Sequence, residues 1–361
     1  MKILVLATDY PDPFGSFNLM YIHVRNLFYV KHGINVTVLN FAASENYELD
    51  GIPVMTLDSY TKTAEPYDIL VSHASNLRNH YRFLKKFETK FKRLVFIFHG
   101  HEVLKINEVY PKPYDFMGSQ SGMKRFLQNR YDGMKLRLWK KYYTKLRHKS
   151  DFVFVSNWLY QQFLKNTNIN FKENIWIIHN SIGEIFEQKN YNPASEKVYD
   201  FITIRADMDG SKYGVDIVNR LAKQHPDLKF LLIGKGNYFK HNQKADNIEW
   251  INRPLPHSEM LGFLDQSKCG LLPTREDTQG VMTCEMAVYG IPVITSDIDV
   301  CHEIFGDLEN VVLIDNDKEV DLIPLLNRLC EQVPYQKITK FNREHTMQAE
   351  VDLLLGSDHR K

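Results

Sequence analysis

Cysteine is scarce in this chain: four in 361 residues, Cys269, Cys284, Cys301 and Cys330, with no paired metal-ligand spacing among them. Late, unpaired cysteines exclude a disulfide framework and fit reduced thiols in a cytosolic protein. No uninterrupted apolar stretch approaches the roughly 18 residues of a membrane-crossing helix, so any membrane contact is expected to be peripheral. The start, "MKILVLATDYPDP", has one Lys and an apolar run that meets Asp9 and Pro11 at once. That is too short for a signal peptide and reads as a first buried strand. A dinucleotide fingerprint is missing too. The first strand is followed by Gly15 and a helix but no G-x-G-x-x-G, and "IGKGNYF" offers only Gly234 and Gly236, an ordinary tight turn.

A net excess of either charge is also lacking, since the formal charge is +1, but the balance conceals a segregation. Between Asn76 and Ser150 there are 19 Lys and Arg against 5 Asp and Glu, so the remainder is acidic. In "NLRNHYRFLKKFETKFKRL" and "MKRFLQNRYDGMKLRLWKKYYTKLRHK" the cations alternate with Phe, Tyr, Trp and Leu. That pattern suits a helix lying on an anionic membrane, or a solvated basic face, and no nucleic-acid recognition motif accompanies it.

What is present is a rhythm. "KILVLAT", "INVTVLNF", "PVMTL", "DILVSH", "RLVFIFH", "DFVFVS" and "IWIIHN" alternate with helical patterns, and after Asn180 the rhythm restarts with "YDFITIRA", "KFLLIG", "NIEWIN", "CGLLPT", "IPVIT" and "NVVLID". Short β-branched runs between helices specify a parallel sheet with crossovers, so two doubly wound α/β domains are expected, 1–180 and 181–339. The last helix, around "REHTMQAEVDLLLG" within 340–361, has an apolar stripe at Met347, Val351, Leu354 and Leu355 and is expected to pack back on the first domain.

Ligands of such sheets sit at the carboxyl ends of the strands. There, "YDFITIR" leads into "ADMDGSKYGVDIVNRLA", with Arg205 at a strand end and Lys212 before a helix, two cations suited to a pyrophosphate. "CGLLPT" leads into "REDTQG" and the helix "VMTCEMAVY", whose first amides, Val281 and Met282, would face an anion with Gly280 permitting close approach. Glu285 lies inside that helix among residues that look core-facing, Val281, Met282, Met286, Ala287 and Val288. A Glu there needs a cation or a vicinal diol such as ribose. The triplet Asp207 to Asp209, "DMD", reads as a chance likeness to a metal-binding motif.

These segments, with "HNSIGEIF", "FVFVSNWLYQQF", "FHGHE" and "MKILVLATDYPDPFGS", resemble the GT-B glycosyltransferases of family 4 over nearly the whole chain. The strongest element is the pair Asp277 and Glu285, separated by seven residues and followed by "IPVITSD". The resemblance implies two Rossmann-like domains facing a central cleft and retaining transfer of a sugar from a nucleotide diphosphate sugar, UDP- or GDP-linked, with no cofactor and no metal. It implies ribose binding by Glu285, a donor-sugar contact by Asp277, diphosphate binding by Arg205 and Lys212, a glycine loop at Gly15, and a donor-sugar contact by His99. The family's first acid is usually Glu. Asp is shorter by about 1.5 Å, which leaves Glu276 beside it as the alternative. The acceptor implied is a saccharide or a lipid-linked hydroxyl in bacterial surface polysaccharide synthesis, in the cytoplasm or peripheral on the inner face of the membrane. A GT-B epimerase or phosphorylase, and a non-catalytic nucleotide-sugar-binding protein, are the alternatives.

Overall fold

The computed structural model describes residues 1–13, 18–63, 65–118, 121–332 and 337–356. Its contacts divide the chain into two units. The first holds Met1–Ile106, Asn129–His179 and Met347–Lys361, and the second holds Asn107–Gln128 and Asn180–Thr346.

The strands of the first unit are β1 (Lys2–Ala7), β2 (Asn35–Asn40), β3 (Tyr47–Leu49), β4 (Ile52–Met55), β5 (Ile69–His73), β6 (Arg93–Phe98), β7 (Ser150–Phe154) and β8 (Ile175–Ile177). They form one sheet in the order β3-β4-β2-β1-β5-β6-β7-β8. All neighbours are parallel except β3 and β4. β3 had no counterpart in the sequence reading. It is a three-residue strand closed by Asp50 and Gly51, both at positive φ (51° and 78°). Such a pair makes the tight hairpin turn that a parallel-sheet rhythm does not anticipate.

The second unit contains β9 (Tyr199–Asp207), β10 (Phe230–Lys235), β11 (Ile248–Ile251), β12 (Ser267–Leu272), β13 (Val293–Ser296) and β14 (Val311–Ile314). Their order is β11-β10-β9-β12-β13-β14, all parallel. The helices that bear on the site are α1 (Met20–Lys31), α2 (Gly122–Leu146), α3 (Val215–Gln224), α4 (His257–Asp265), α5 (Val281–Tyr289) and α6 (Met347–Leu355).

The β-branched and aromatic runs form strands because both sheet faces are covered. On β6 and β7, Phe96 stands opposite Phe152 and Phe98 opposite Phe154, so one face is an aromatic ladder with ring centroids 5.7 and 4.6 Å apart. Trp139 and Tyr143 of α2 stack at 4.9 Å, and Tyr143 meets the ladder edge-on at Phe96, 5.0 Å away. This accounts for the buried face of α2. Its opposite face leaves Met123, Phe126, Leu127, Tyr131 and Met134 exposed. The other basic run behaves differently. Phe83, Leu84, Phe87 and Phe91 all enter the core, and the cations between them form a solvated rim.

α6 packs on α1 in the first unit. Met347, Val351 and Leu354 are buried while Leu355 at the helix end is half exposed. Between the two helices lies a buried ion pair, Arg25 Nε to Glu350 Oε1 at 3.1 Å, and the Tyr29 hydroxyl donates to the other oxygen of Glu350. Two charges out of water are tolerated only as a pair, so removing one partner is far costlier than removing both. Arg25→Leu should lower the stability of the first unit by about 3–5 kcal/mol in urea unfolding. Adding Glu350→Leu should recover most of that loss.

Candidate functional site

In the second sheet the strand order reverses between β9 and β12, so the loops leaving these two neighbours diverge and open a crevice at their carboxyl ends. Arg205, near the end of β9, is only 7% exposed. Its Nη2 donates to Pro273 O at 3.0 Å, and its Cζ lies 5.3 Å from the Tyr213 ring centroid. Nε is buried with no partner among the described residues. Burial draws this guanidinium's pKa down, with the Asp277 charge opposing. A buried N–H without an acceptor is costly, and a bound anion would relieve it.

Gly234 makes this placement possible. Its φ is +153°, and a Cβ there would stand 2.0 Å from Arg205 O. The β9–β10 register shifts between Ile233 and Lys235. The glycine that looked like a simple turn residue in sequence therefore serves a bulge against β9.

The turn bearing Lys212 (Ser211–Tyr213) is stitched to the loop after β12. Lys212 O accepts from Arg275 N at 2.7 Å and from Thr274 Oγ1 at 3.0 Å. Thr274 N in turn donates to Ser296 Oγ at 2.8 Å. Further along that loop, Asp277 Oδ1 accepts from Thr278 N and Gln279 N at 2.7 and 3.3 Å, which bends the chain into α5. The neighbouring Glu276 is pushed up to about 8, first by burial and then by the Asp277 charge, while the Asp277 amide and Lys212 pull it down. Near neutral pH Glu276 is therefore biased toward its protonated form, in which it can donate a hydrogen bond.

α5 begins after Gly280, in the left-handed region at φ 80°. The first-turn amides of Val281 and Met282 have no acceptor within the helix. The Val281 side chain is exposed, not core-facing as its position among apolar residues suggested, because it stands on the first turn at the open end. One turn on, Glu285 is 5% exposed and its Oε1 accepts from Gly183 N at 3.0 Å. Burial pushes its carboxyl up to about 7, only partly offset by the Gly183 N–H. His257, which opens α4, stands 3.9 Å from Glu285 Oε1, but burial lowers its pKa. Both groups are thus shifted toward their neutral forms, and the contact is not a strong ion pair.

Three residues here had no role in the sequence reading. Gln279, fully buried, clamps the backbone of Asn180: Asn180 N donates to Oε1 at 2.6 Å and Nε2 donates to Asn180 O at 3.0 Å. The clamp brings Gly183 against Glu285. A Cβ on Gly183 would stand 2.6 Å from His257 Nδ1 and 3.2 Å from Glu285 Oε1. Gln279, Gly183 and His257 belong to separate segments, and the sequence singles out "REDTQG" and "HNSIGEIF" without pointing to these residues within them.

Asp207 and Asp209 serve loop geometry. Asp207 Oδ1 accepts from Asp209 N at 2.9 Å, and Asp209 Oδ1 accepts from Asn237 N at 2.7 Å. Both line a polar cavity of about 590 Å³ with Lys235, Asn237, Asn252 and Arg253.

His99 belongs to the first unit, just past the end of β6. The amides of His99 and Gly100 donate to the two oxygens of Glu102, each at 2.7 Å. His99 Nε2 lies 3.2 Å from His73 Nδ1, and its ring meets Tyr21 at 4.9 Å. His73 is fully buried and, through burial and then the His99 charge, held well below the usual histidine range. Gly15 lies outside the described residues. The structure thus brings Arg205, Lys212, Glu276, Asp277, Gly280, Val281, Met282 and Glu285 into the second unit, with His99 in the first.

Residues 202–332 match the family model described as Glycosyl transferases group 1. A search of curated proteins returns no match. Among solved structures the chain resembles a glycosyltransferase from Rickettsia africae, with 14% identity, 99% of each chain covered and TM-score 0.67. It also resembles sucrose-phosphate synthase from Thermosynechococcus elongatus, with 13% identity, 98% of this chain and 97% of that one covered and TM-score 0.65. A third is the E. coli trehalose-6-phosphate protein bound with UDP-2-fluoro glucose, with 11% identity, 99% and 96% covered and TM-score 0.59. At these identities the likeness is one of fold, and that fold is GT-B. Residues 202–332, within the second unit, are a group 1 glycosyltransferase domain, which makes the protein a transferase.

Glu285 links the site to stability. An ordinary glutamate titrates near 4.5 and Glu285 at about 7, so between these values the folded protein holds a proton that the unfolded chain has lost. Stability therefore falls as pH rises through that window. Glu285→Gln should be more stable than the parent at pH 8 by roughly 2–3 kcal/mol and similar to it near pH 4.5, in urea unfolding of the second unit.

Proposed function

We propose that the protein is a retaining, nucleotide-sugar-dependent glycosyltransferase of the family 4 kind. The observation that carries this reading is Arg205, a buried guanidinium at the strand-order reversal with Nε unpartnered among the described residues. A nucleoside diphosphate supplies the missing acceptors. Arg205, Lys212 and the amides of Val281 and Met282 hold the diphosphate of a UDP- or GDP-sugar. Glu285 accepts the ribose hydroxyls, and the family resemblance assigns Gly15 to the phosphates and His99 to the donor sugar.

The barrier is charge separation as the bond from the anomeric carbon to the diphosphate oxygen breaks. The cations and amides stabilise the departing diphosphate, which neither a cofactor nor a metal is needed to do. The acceptor hydroxyl attacks from the face the leaving group departs, a new carbon–oxygen bond forms, and the hydroxyl proton passes to a diphosphate oxygen. Configuration is retained. Asp277 and Glu276 are the two candidate carboxyls for the sugar, and Glu276 in its protonated form suits donation to a sugar hydroxyl.

The acceptor is a saccharide or lipid-linked hydroxyl in bacterial surface polysaccharide synthesis, and the enzyme works at the cytoplasmic face of the membrane. Supporting this is the exposed face of α2, where Met123, Phe126, Leu127, Tyr131 and Met134 sit among Lys124, Arg130, Arg137 and Lys141. Apolar residues flanked by cations are what an interfacial helix presents to anionic lipid. No helix among the described residues is long and apolar enough to cross a membrane.

Slow hydrolysis of UDP-glucose and GDP-mannose, followed by product analysis, tests the reaction. Arg205→Ala should lower kcat/KM for the donor by about 10²-fold or more, and Glu285→Gln should raise its KM about tenfold. Unchanged turnover in both variants would refute the site. Of Glu276→Gln and Asp277→Asn, the one that lowers kcat identifies the sugar contact. On vesicles, binding should require anionic lipid, weaken with salt and be lost in Phe126→Asp/Leu127→Asp. Equal binding to neutral vesicles, or none to either, would remove the membrane from this reading.

A further inference from the structure

The segment Asn107–Gln128 comes from the first half of the chain, yet it folds onto the second unit. It is anchored there by rings: Phe116 stacks on His241 at 4.6 Å and Tyr114 packs on Tyr238 at 4.8 Å. From that anchor the Tyr114 hydroxyl donates to Asp216 Oδ1 at 2.7 Å. Asp216, in the first turn of α3, is gripped by both terminal nitrogens of Arg275, at 2.8 and 2.5 Å. Arg275 also donates from its Nη1 to Ser211 O at 2.8 Å and from its backbone N to Lys212 O at 2.7 Å. Phenol, carboxylate and guanidinium therefore form one chain ending on the carbonyls of Ser211 and Lys212, within the turn that carries the ammonium.

The same segment reaches the ammonium itself. Lys212 Nζ lies 5.2 Å from the centroid of the Tyr110 ring and 4.7 Å from that of Tyr213. No carboxylate stands within ion-pair distance of Lys212 Nζ among the described residues, so two aromatic faces guide the ammonium. A ring attracts a cation without neutralising it. A carboxylate in the same place would compete with an incoming diphosphate, whereas rings fix the position and leave the positive charge available.

We propose that Tyr110 and Tyr114 are positioning residues for the donor, holding the Lys212 ammonium where it meets the diphosphate. This rests on the reading of Lys212 as a diphosphate contact. Tyr110 acts through the face of its ring, and Tyr114 acts through its hydroxyl on Asp216 and Arg275.

The test measures donor hydrolysis, with UDP-glucose or GDP-mannose, whichever is turned over, for Tyr110→Ala, Tyr110→Phe and Tyr114→Phe. Each is made in the parent and in Lys212→Ala, and inhibition by the matching nucleoside diphosphate and bare nucleoside is measured alongside. Tyr110→Ala should lower kcat/KM about 3- to 20-fold, the range a cation–ring contact supports, and Tyr114→Phe by about 3- to 10-fold through the lost hydrogen bond to Asp216. Tyr110→Phe, which keeps the ring, should stay near the parent. In the Lys212→Ala background neither substitution should cost anything more. Inhibition by the diphosphate should weaken and inhibition by the nucleoside should not. If the losses multiply in full on top of Lys212→Ala, or the nucleoside weakens equally, the tyrosines act only on the fold and the proposal is overturned. If Lys212→Ala is impaired while all three tyrosine variants match the parent, positioning alone fails. If Lys212→Ala matches the parent, the diphosphate contact fails as well.

Discussion

Two backbone carbonyls organise the candidate site, Pro273 O and Lys212 O. The first fixes the buried guanidinium of Arg205, and the second takes the Arg275 amide and the Thr274 hydroxyl. The linkage continues across the strand ends: Thr274 N donates to Ser296 Oγ, Ser296 Oγ donates to Asn316 Oδ1, and Asn316 Nδ2 returns to Thr274 O. The loops after β9, β12 and β14 and the end of β13 are thereby held in one lattice of short contacts. Loops carry function when a rigid scaffold positions them, and here the scaffold reaches into the loops themselves.

The charges set on this lattice are poorly compensated. Arg205 lacks an acceptor for one buried N–H among the described residues, and Glu285 and Glu276 are both driven by burial toward their neutral forms. Groups buried at such cost are better solvated by a ligand than by the protein, because a diol or a diphosphate supplies the hydrogen bonds that burial removed. Stability is forgone where binding is gained, as is usual at functional sites. The Arg25–Glu350 pair is the opposite case. It is as deeply buried, but its partners satisfy one another, and it fastens α6 to α1.

How much of this could be read from sequence depended on the range of the interaction. The parallel strands were legible because strands covered on both faces must be apolar throughout, and "KILVLAT" or "KFLLIG" announce that locally. β3 was not, being three residues long and defined by the Asp50–Gly51 turn rather than by its own composition. Arg205, Lys212, Asp277 and Glu285 were legible as charged residues at strand ends or inside an apolar helix. Gln279 was not, because its partner is the backbone of Asn180, 99 positions away, and backbone has no sequence signature. Gly234 was misjudged for a related reason: the atom it makes room for lies on a neighbouring strand. The attachment of Tyr110, Tyr114 and Phe116 to the second unit was likewise silent, since aromatic residues in a loop look alike whichever surface they meet.

The placement of Asn107–Gln128 also bears on how this molecule could be recombined. The chain passes from one unit to the other four times, at 106/107, 128/129, 179/180 and 346/347. A cassette cut from 180 to 346 would lack the tyrosines that cover Asp216 and Lys212. In any chimera built to exchange donor specificity, the transplanted half must therefore bring a matching strip of its other half along, and the heritable unit of donor recognition is discontinuous in the gene.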